Sequence, residues 1–259
     1  MSLFGFDMRP ISRLQGGSIV KTASYILREN LHDEYQQKTH YYSHIKDLLH
    51  SEILLPENAP EEFHELQTLL AAIDQAEKRY DARTGRSLRL SLPNDVNLST
   101  TDQISLVKDY IQEVFVAQGM CAILAIHEGK NVEAEKSNPH AHVILTDRPV
   151  GTNGFCSHKN RDWNQTAQLR KQRRLWAEYQ NRFFKEKCLD LEVSHESLEV
   201  QGIDREPTRP LGRAATALER KGIQTEVGNR NREIEARQRE QEKQRQRLYE
   251  RHRHREWSR

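Results

Sequence analysis

The sequence is short of cysteine, of long apolar runs and of net charge, and each shortage excludes something. Its three cysteines in 259 residues, Cys121, Cys156 and Cys188, are odd in number, widely spaced and without a C-x-x-C pair. They read as reduced thiols, which excludes a disulfide framework and a zinc knuckle. The longest apolar run, Met120 to Ile126, has seven residues, against the ~20 of a membrane-spanning helix. The amino terminus, Met1-Ser-Leu-Phe-Gly-Phe-Asp-Met8, has neither the basic start nor the apolar stretch of a secretory signal. These features point to a cytoplasmic protein with no membrane insertion. Hydrophobic residues make up only 36% and charged residues 30%, with a mean hydropathy of −0.88, so part of the chain is expected outside any core. The formal charge is only +2, and residues 231–259, with ten basic and six acidic residues, leave −2 over residues 1–230. A nucleic-acid-binding core would therefore rely on local basic patches.

Along the chain, Leu3 to Ser12 reads as a first strand that Pro10 weakens near its end, and Ser18 caps a helix running to about Asn30. Ser51 to Leu55 is a short strand stopped by Pro56, and a helix spans roughly 60–79 with Leu66, Leu69, Leu70 and Ile73 at helical spacing. Leu88, Leu90 and Leu92 alternate as a half-buried strand, and Ser99 starts a helix to about Gly119. Residues 121–127 and 141–147 are strand-like and joined by a polar loop; a long helix covers 164–187, and a short strand lies near Leu191 to Val193. Residues 200–229 are rich in Gly, Pro and Arg, and residues 231–259 form a charged tail, helical or disordered, with almost no apolar stripe. The order predicts an α+β fold, a largely antiparallel central sheet backed by helices.

Three histidines, His127, His140 and His142, fall within sixteen residues. In a strand, positions i and i+2 share a face, so His140 and His142 point together while Ala141 and Val143 face the core. If the two runs form a hairpin, His127 at the end of the first meets His140 at the start of the second. Three converging imidazoles suit Mn, Fe, Co, Ni, Cu or Zn and leave coordination sites for substrate oxygens. The alternative is a set of polar residues on the wet face of a sheet. His252 and His254 share the spacing but sit in a helical tail, where i and i+2 diverge.

On the first helix Ile19, Val20, Ala23, Ile26 and Leu27 gather into one stripe, and Tyr25 falls nearly opposite, among Lys21, Ser24 and Arg28. Such a tyrosine is either an idle surface residue or presents its hydroxyl to something outside the helix. A phenol is a competent nucleophile when a metal or base assists it, and Lys21 and Arg28 could hold a phosphate nearby. Tyr41 and Tyr42 are rivals for the role.

His127 followed by Asn138-Pro-His-Ala-His142 resembles the three-histidine motif of the MobA/MobL plasmid-mobilisation relaxases. Gly16-Gly17-Ser18 through Ala23-Ser-Tyr25 resembles the nucleophile helix of that family, and Gln201-Gly-Ile-Asp-Arg205 its closing block. Similar blocks recur in order at residues 50–60 and 76–79, at Trp176-Ala177 with Asn181, and at 222–234. The resemblance implies an HUH-type relaxase domain over residues 1–200, a closing block at 201–230 on or near the active site, and the tail at 231–259. It implies site- and strand-specific nicking of single-stranded DNA at a transfer origin, within reach of relaxosome accessory proteins. By analogy Tyr25 would attack the scissile phosphodiester, giving a 5′-phosphotyrosyl link that can be religated. His127, His140 and His142 would hold Mg²⁺ or Mn²⁺ against the phosphate oxygens.

One stretch departs from the family. Where members carry a carboxylate before Leu92-Pro93, this chain has Arg86-Ser87-Leu88-Arg89, so Ser87 and Arg89 stand there and Glu128 is a substitute candidate. The loop from Glu128 to Ser137 is long and adds Glu133 and Glu135. The departure favours a second reading, a relaxase-derived module that binds origin DNA without cleaving it. A third reading, a three-histidine zinc hydrolase, would need neither Tyr25 nor the basic tail. DNA contacts are expected at Arg13, Lys21, Arg28, Lys159, Arg161 and Arg205, with Trp163 as a stacking surface or a core cap.

Overall fold

A computed structural model of the chain describes residues 4–95, 97–131 and 136–256. In chain order the elements are β1 (Phe6–Ser12), α1 (Ile19–Leu27), β2 (Leu31–Asp33), β3 (Lys38–His40), β4 (Leu48–Leu54), α2 (Leu66–Ala76), β5 (Arg83–Ser91), α3 (Thr100–Val114) and β6 (Ala122–His127). They continue with β7 (Lys130–Asn131), β8 (Lys136–Ser137), β9 (His140–Leu145), β10 (Val150–Gly151), β11 (Gly154–Phe155), α4 (Thr166–Glu186), α5 (Gly212–Arg220) and α6 (Glu226–Glu256). Contacts divide the chain into two units, Met1–His195 and Glu196–Arg259.

In the first unit five strands pair in the order β1-β5-β9-β6-β4, every neighbour antiparallel. This is the expected α+β fold. Strand alternation sorts the side chains into two cores. Leu88 and Leu90, Leu124 and Ile126, and Ala141, Val143 and Leu145 join α3 and α4 on one face. Ile11, Ile123, Ala125 and Ile144 join α1 and α2 on the other. Helices cover both faces, so β6 is buried at every residue, and its sequence is a continuous apolar run rather than an alternating one. Pro10 is tolerated because β1 is an edge strand, where a missing N–H costs no ladder bond.

Several boundaries differ from the sequence expectation. The helix expected over 60–79 is an α-helix only over Leu66–Ala76, preceded by a separate 3₁₀ turn at Glu61–His64. Beyond its end the Arg13 guanidinium bonds the carbonyls of Glu77 and Arg79. No strand forms at Leu191 to Val193. The amide and carbonyl of Val193 are instead bonded at 2.9 and 2.8 Å by the Asn181 side chain on α4, which replaces a strand partner. The loop after β6 extends the β6–β9 hairpin as the β7–β8 ribbon, and Glu133 and Glu135 lie outside the described residues.

The second unit contains α5, unforeseen in a Gly/Pro/Arg-rich stretch, and α6, which makes the charged tail a helix. Its opening segment is tied to α6: Glu206 pairs with Arg230 at 3.0 Å and Arg237 at 2.7 Å, and Arg209 exchanges backbone bonds with the Asn231 side chain. No helix among the described residues is long and apolar enough to cross a membrane.

Candidate active site

The histidine face is built by register. His127 on β6 lies directly opposite His140 on β9, and His142 lies between Ala125 on β6 and Arg89 on β5. All three imidazoles share the face that carries α1, the parity of Ile123, Ala125 and Ile144. Their ring centroids are 4.9 to 5.4 Å apart, and one ligand atom from each lies within 4.8 Å of the others.

Each ring is oriented by a different neighbour. The Nε2 of His127 is 2.7 Å from the Ile26 carbonyl on α1 and its Nδ1 is 3.1 Å from Arg28 Nη2. A carbonyl only accepts and a guanidinium only donates, so the proton sits on Nε2 and the lone pair on Nδ1. His140 donates Nδ1–H to the Asn138 carbonyl at 2.8 Å, which leaves the lone pair on Nε2. Burial, then the neighbouring His140 and His127, push the His142 imidazole down to about 3, so it is neutral at ordinary pH. Burial likewise holds His127 below its usual value. Burial thus keeps His127 and His142 neutral. The three rings bring nitrogen donors within 4.8 Å of one another, a set that fits a divalent cation once Arg28 releases the Nδ1 of His127.

Helix α1 brings the tyrosine to this cluster. Ser18 caps it by accepting the Lys21 amide at 3.0 Å and donates its hydroxyl to Asp33. The stripe Ile19, Val20, Ala23, Ile26, Leu27 is buried, while Tyr25 stays 40% exposed. The Tyr25 ring stands edge-on to His142 at 5.9 Å and to Tyr42 at 5.4 Å. Of the three tyrosines weighed from sequence, Tyr25 stands against His142, Tyr42 against Tyr25, and Tyr41 is exposed. Asn30 places Tyr42 by accepting the amides of Tyr42 and Ser43 at 3.0 and 3.1 Å.

The MobA/MobL family matches residues 17–221. The chain belongs to that family. It is 29% identical to a probable mobilization protein MobA of Bifidobacterium longum, over 90% of this chain and 47% of the relative. It is 30% identical to a conjugal transfer protein TraA of Rhizobium radiobacter, over 88% of this chain and 23% of the relative. The chain therefore spans about half the length of the first and a quarter of the second. A solved structure from work on the "Molecular Basis of Vancomycin Resistance Transfer in Staphylococcus aureus" shares the fold, with a TM-score of 0.67 and 26% identity over 76% of this chain and all of that one.

The remaining residues singled out from sequence in this MobA/MobL chain are not one basic patch. Lys21 and Arg161 are exposed. Arg13 is pinned to Asp74 at 2.8 Å, with its side chain 4% exposed. Lys159 pairs with Glu77 at 2.9 Å, and Arg28 is buried beneath Tyr25. Trp163 is a core residue, so it is the cap and not a stacking surface. Arg205, in the second unit, bonds the Gln238 side chain at 3.1 Å. Arg89 is exposed on the histidine face opposite His142, and Ser87 is half-buried opposite Ile144. Sequence reasoning missed Asp47, which lies just before β4 and holds Arg28 at 2.7 and 2.9 Å. It also missed Gly129, whose carbonyl accepts the Asn138 amide at 3.1 Å. No local pattern links Asp47 to a partner nineteen residues earlier, whereas a glycine two residues after a candidate ligand was a usable signal.

Proposed function

We propose that this chain is a metal-dependent DNA relaxase that nicks one strand at a plasmid transfer origin, through Tyr25, and can reseal it. The observation that carries the proposal is the edge-on approach of the exposed Tyr25 ring to His142, within a cluster of three imidazoles whose ligand atoms lie within 4.8 Å of one another. Single-stranded origin DNA is the substrate, accessory proteins of the relaxosome are the expected partners, and the cytoplasm is the expected site of action. Mobilization and conjugal-transfer proteins among the relatives support this assignment.

In the reaction the Tyr25 phenol gives up its proton, its oxygen bonds to phosphorus, the bond from phosphorus to the 3′ oxygen breaks, and that oxygen takes a proton. The 5′-phosphotyrosyl link keeps the energy of the phosphodiester, so a 3′-hydroxyl can reverse the exchange. His127, His140 and His142 would hold the divalent ion, Mg²⁺ or Mn²⁺, which supplies charge neutralisation at the non-bridging oxygens when bound. Asn138 and Ile26 hold the rings of His140 and His127 through their backbone carbonyls, the supporting role such ligands require. Lys21, exposed one turn before Tyr25, is the cation proposed to meet the strand backbone.

A second reading rests on Arg89, which puts a cation opposite His142 where the family carries a carboxylate. Under it the chain binds origin DNA without cleaving. Adduct trapping separates the two. The full chain is incubated with Mn²⁺ and single strands of the plasmid that encodes it, denatured, and the DNA-linked peptide is mapped by mass spectrometry. An adduct on Tyr25, absent from Tyr25→Phe, is expected. Binding without any adduct would replace the first reading with the second, and an adduct on Tyr42 would move the nucleophile.

A further inference from the structure

Resting on the tyrosine-transfer reading above, we infer that Arg28, gripped by Asp47, is the positioning residue that joins the Tyr25 side chain to His127. The guanidinium makes a two-pronged contact with Asp47, Nε to Oδ1 at 2.7 Å and Nη2 to Oδ2 at 2.9 Å. From that grip Nη1 donates to the Tyr25 carbonyl at 2.6 Å, Nη2 donates to His127 Nδ1 at 3.1 Å, and the planar group lies 4.5 Å from the centroid of the Tyr25 ring. A single rigid fork thus touches the nucleophile's backbone, its ring, and a histidine ninety-nine residues away in sequence. A lysine in its place would have one point charge and no plane to lay against the ring.

Two further observations separate this from an ordinary surface ion pair. The Arg28 side chain is 7% exposed and that of Asp47 30%, so the fork is better shielded from water than an exposed ion pair. Its backbone is left-handed, with φ 58°, a conformation that crowds the Cβ of any non-glycine residue. Glycine would end the helix at Arg28 without that crowding. Keeping an arginine there means its side chain does something a glycine cannot. The Tyr25 ring is otherwise held only at its edges by Tyr42 and His142 among the described ring contacts. Without the guanidinium it is free to swing away from the cluster.

The test uses the full chain and the trapping assay, after wild type and Tyr25→Phe have established the Tyr25 adduct. Should wild type form none, the tyrosine-transfer reading fails first, and Arg28 is not reached. Arg28→Gly suits the left-handed backbone and removes the fork, and Asp47→Asn keeps the shape of the grip while removing its charge. At saturating DNA and Mn²⁺, Arg28→Gly should form adduct about 100-fold more slowly, the cost of a nucleophile misplaced by about an ångström. Because Arg28 occupies the His127 lone pair, its removal should leave Mn²⁺ affinity, read by electron paramagnetic resonance, unchanged or tighter. Methylguanidinium added to Arg28→Gly should restore rate, and Arg28→Lys should not. Unchanged rates in both Arg28→Gly and Asp47→Asn would overturn the inference. So would a rate loss that tracks lost Mn²⁺ affinity, which would make Arg28 a support of the metal cluster instead.

Discussion

Replacing Gly129 by alanine should dislodge His140 while leaving the rest of the sheet intact. Gly129 has φ 62°, and a Cβ built there would meet the Asn138 carbonyl oxygen at 2.1 Å, its carbon at 2.8 Å and His140 Nδ1 at 3.0 Å. The first two are backbone atoms that cannot rotate aside, so the hairpin itself must open. Opening it breaks the bond from the Asn138 amide to the Gly129 carbonyl and the bond from His140 to the Asn138 carbonyl. Left-handed alanine costs about 1 kcal/mol and each lost hydrogen bond about another 1, so roughly 3 kcal/mol of stability should go. His140 then loses the acceptor that fixes its tautomer, which typically weakens a metal site by about 10- to 100-fold. Gly16 is the control: its φ of 70° imposes the same backbone cost, but nothing lies within 4 Å of its added Cβ. Urea unfolding of the metal-free proteins and Mn²⁺ titration measure both effects. Gly16→Ala should lose only about 1 kcal/mol and bind Mn²⁺ normally. Equal Mn²⁺ affinity in Gly129→Ala and wild type would refute the placement of His140.

The metal-free protein should lose stability as the pH falls below neutrality. Burial holds His40, His127 and His142 below the ordinary imidazole value. Below about pH 6.5 the unfolded chain therefore takes up protons that the folded chain refuses, and the slope approaches ~1.4 kcal/mol per pH unit for each histidine. A urea midpoint that does not move between pH 7.5 and 5.5 would contradict neutral burial. Lys21 and Arg13, both basic and close in sequence, should behave oppositely. Lys21→Ala should keep its stability and reduce the salt slope of single-strand binding by about 0.7. Arg13→Ala should lose about 3 kcal/mol by stranding Asp74, and leave the salt slope unchanged. An unaltered slope in Lys21→Ala would remove it from the DNA path.

Local sequence periodicity carried the parts of this protein that depend on one element at a time. The off-stripe position of Tyr25 follows from 100° per residue, and the shared face of His140 and His142 from the two-residue repeat of a strand. The meeting of His127 with His140 needed only a hairpin, and the register bears it out. The edges of elements were less legible, because distant groups bear on them. Arg13, from far back in the sequence, bonds the carbonyls just past the end of α2, and an asparagine on α4 supplied the bonds that the strand expected at Leu191 to Val193 would have taken from a neighbour.

Tertiary structure alone decided which cations are free. In the sequence Arg13, Lys21, Arg28 and Lys159 are equivalent positive charges, and folding buries or pairs three of them while leaving Lys21 exposed. It also turned Trp163 inward and set Asp47 behind Arg28. A charge carries no address in its own segment: its partner is whatever the sheet order and helix packing bring within 3 Å. The repeat of a helix or a strand is written in neighbouring residues, and so the sequence by itself determined the faces, while only the fold determined what each face meets.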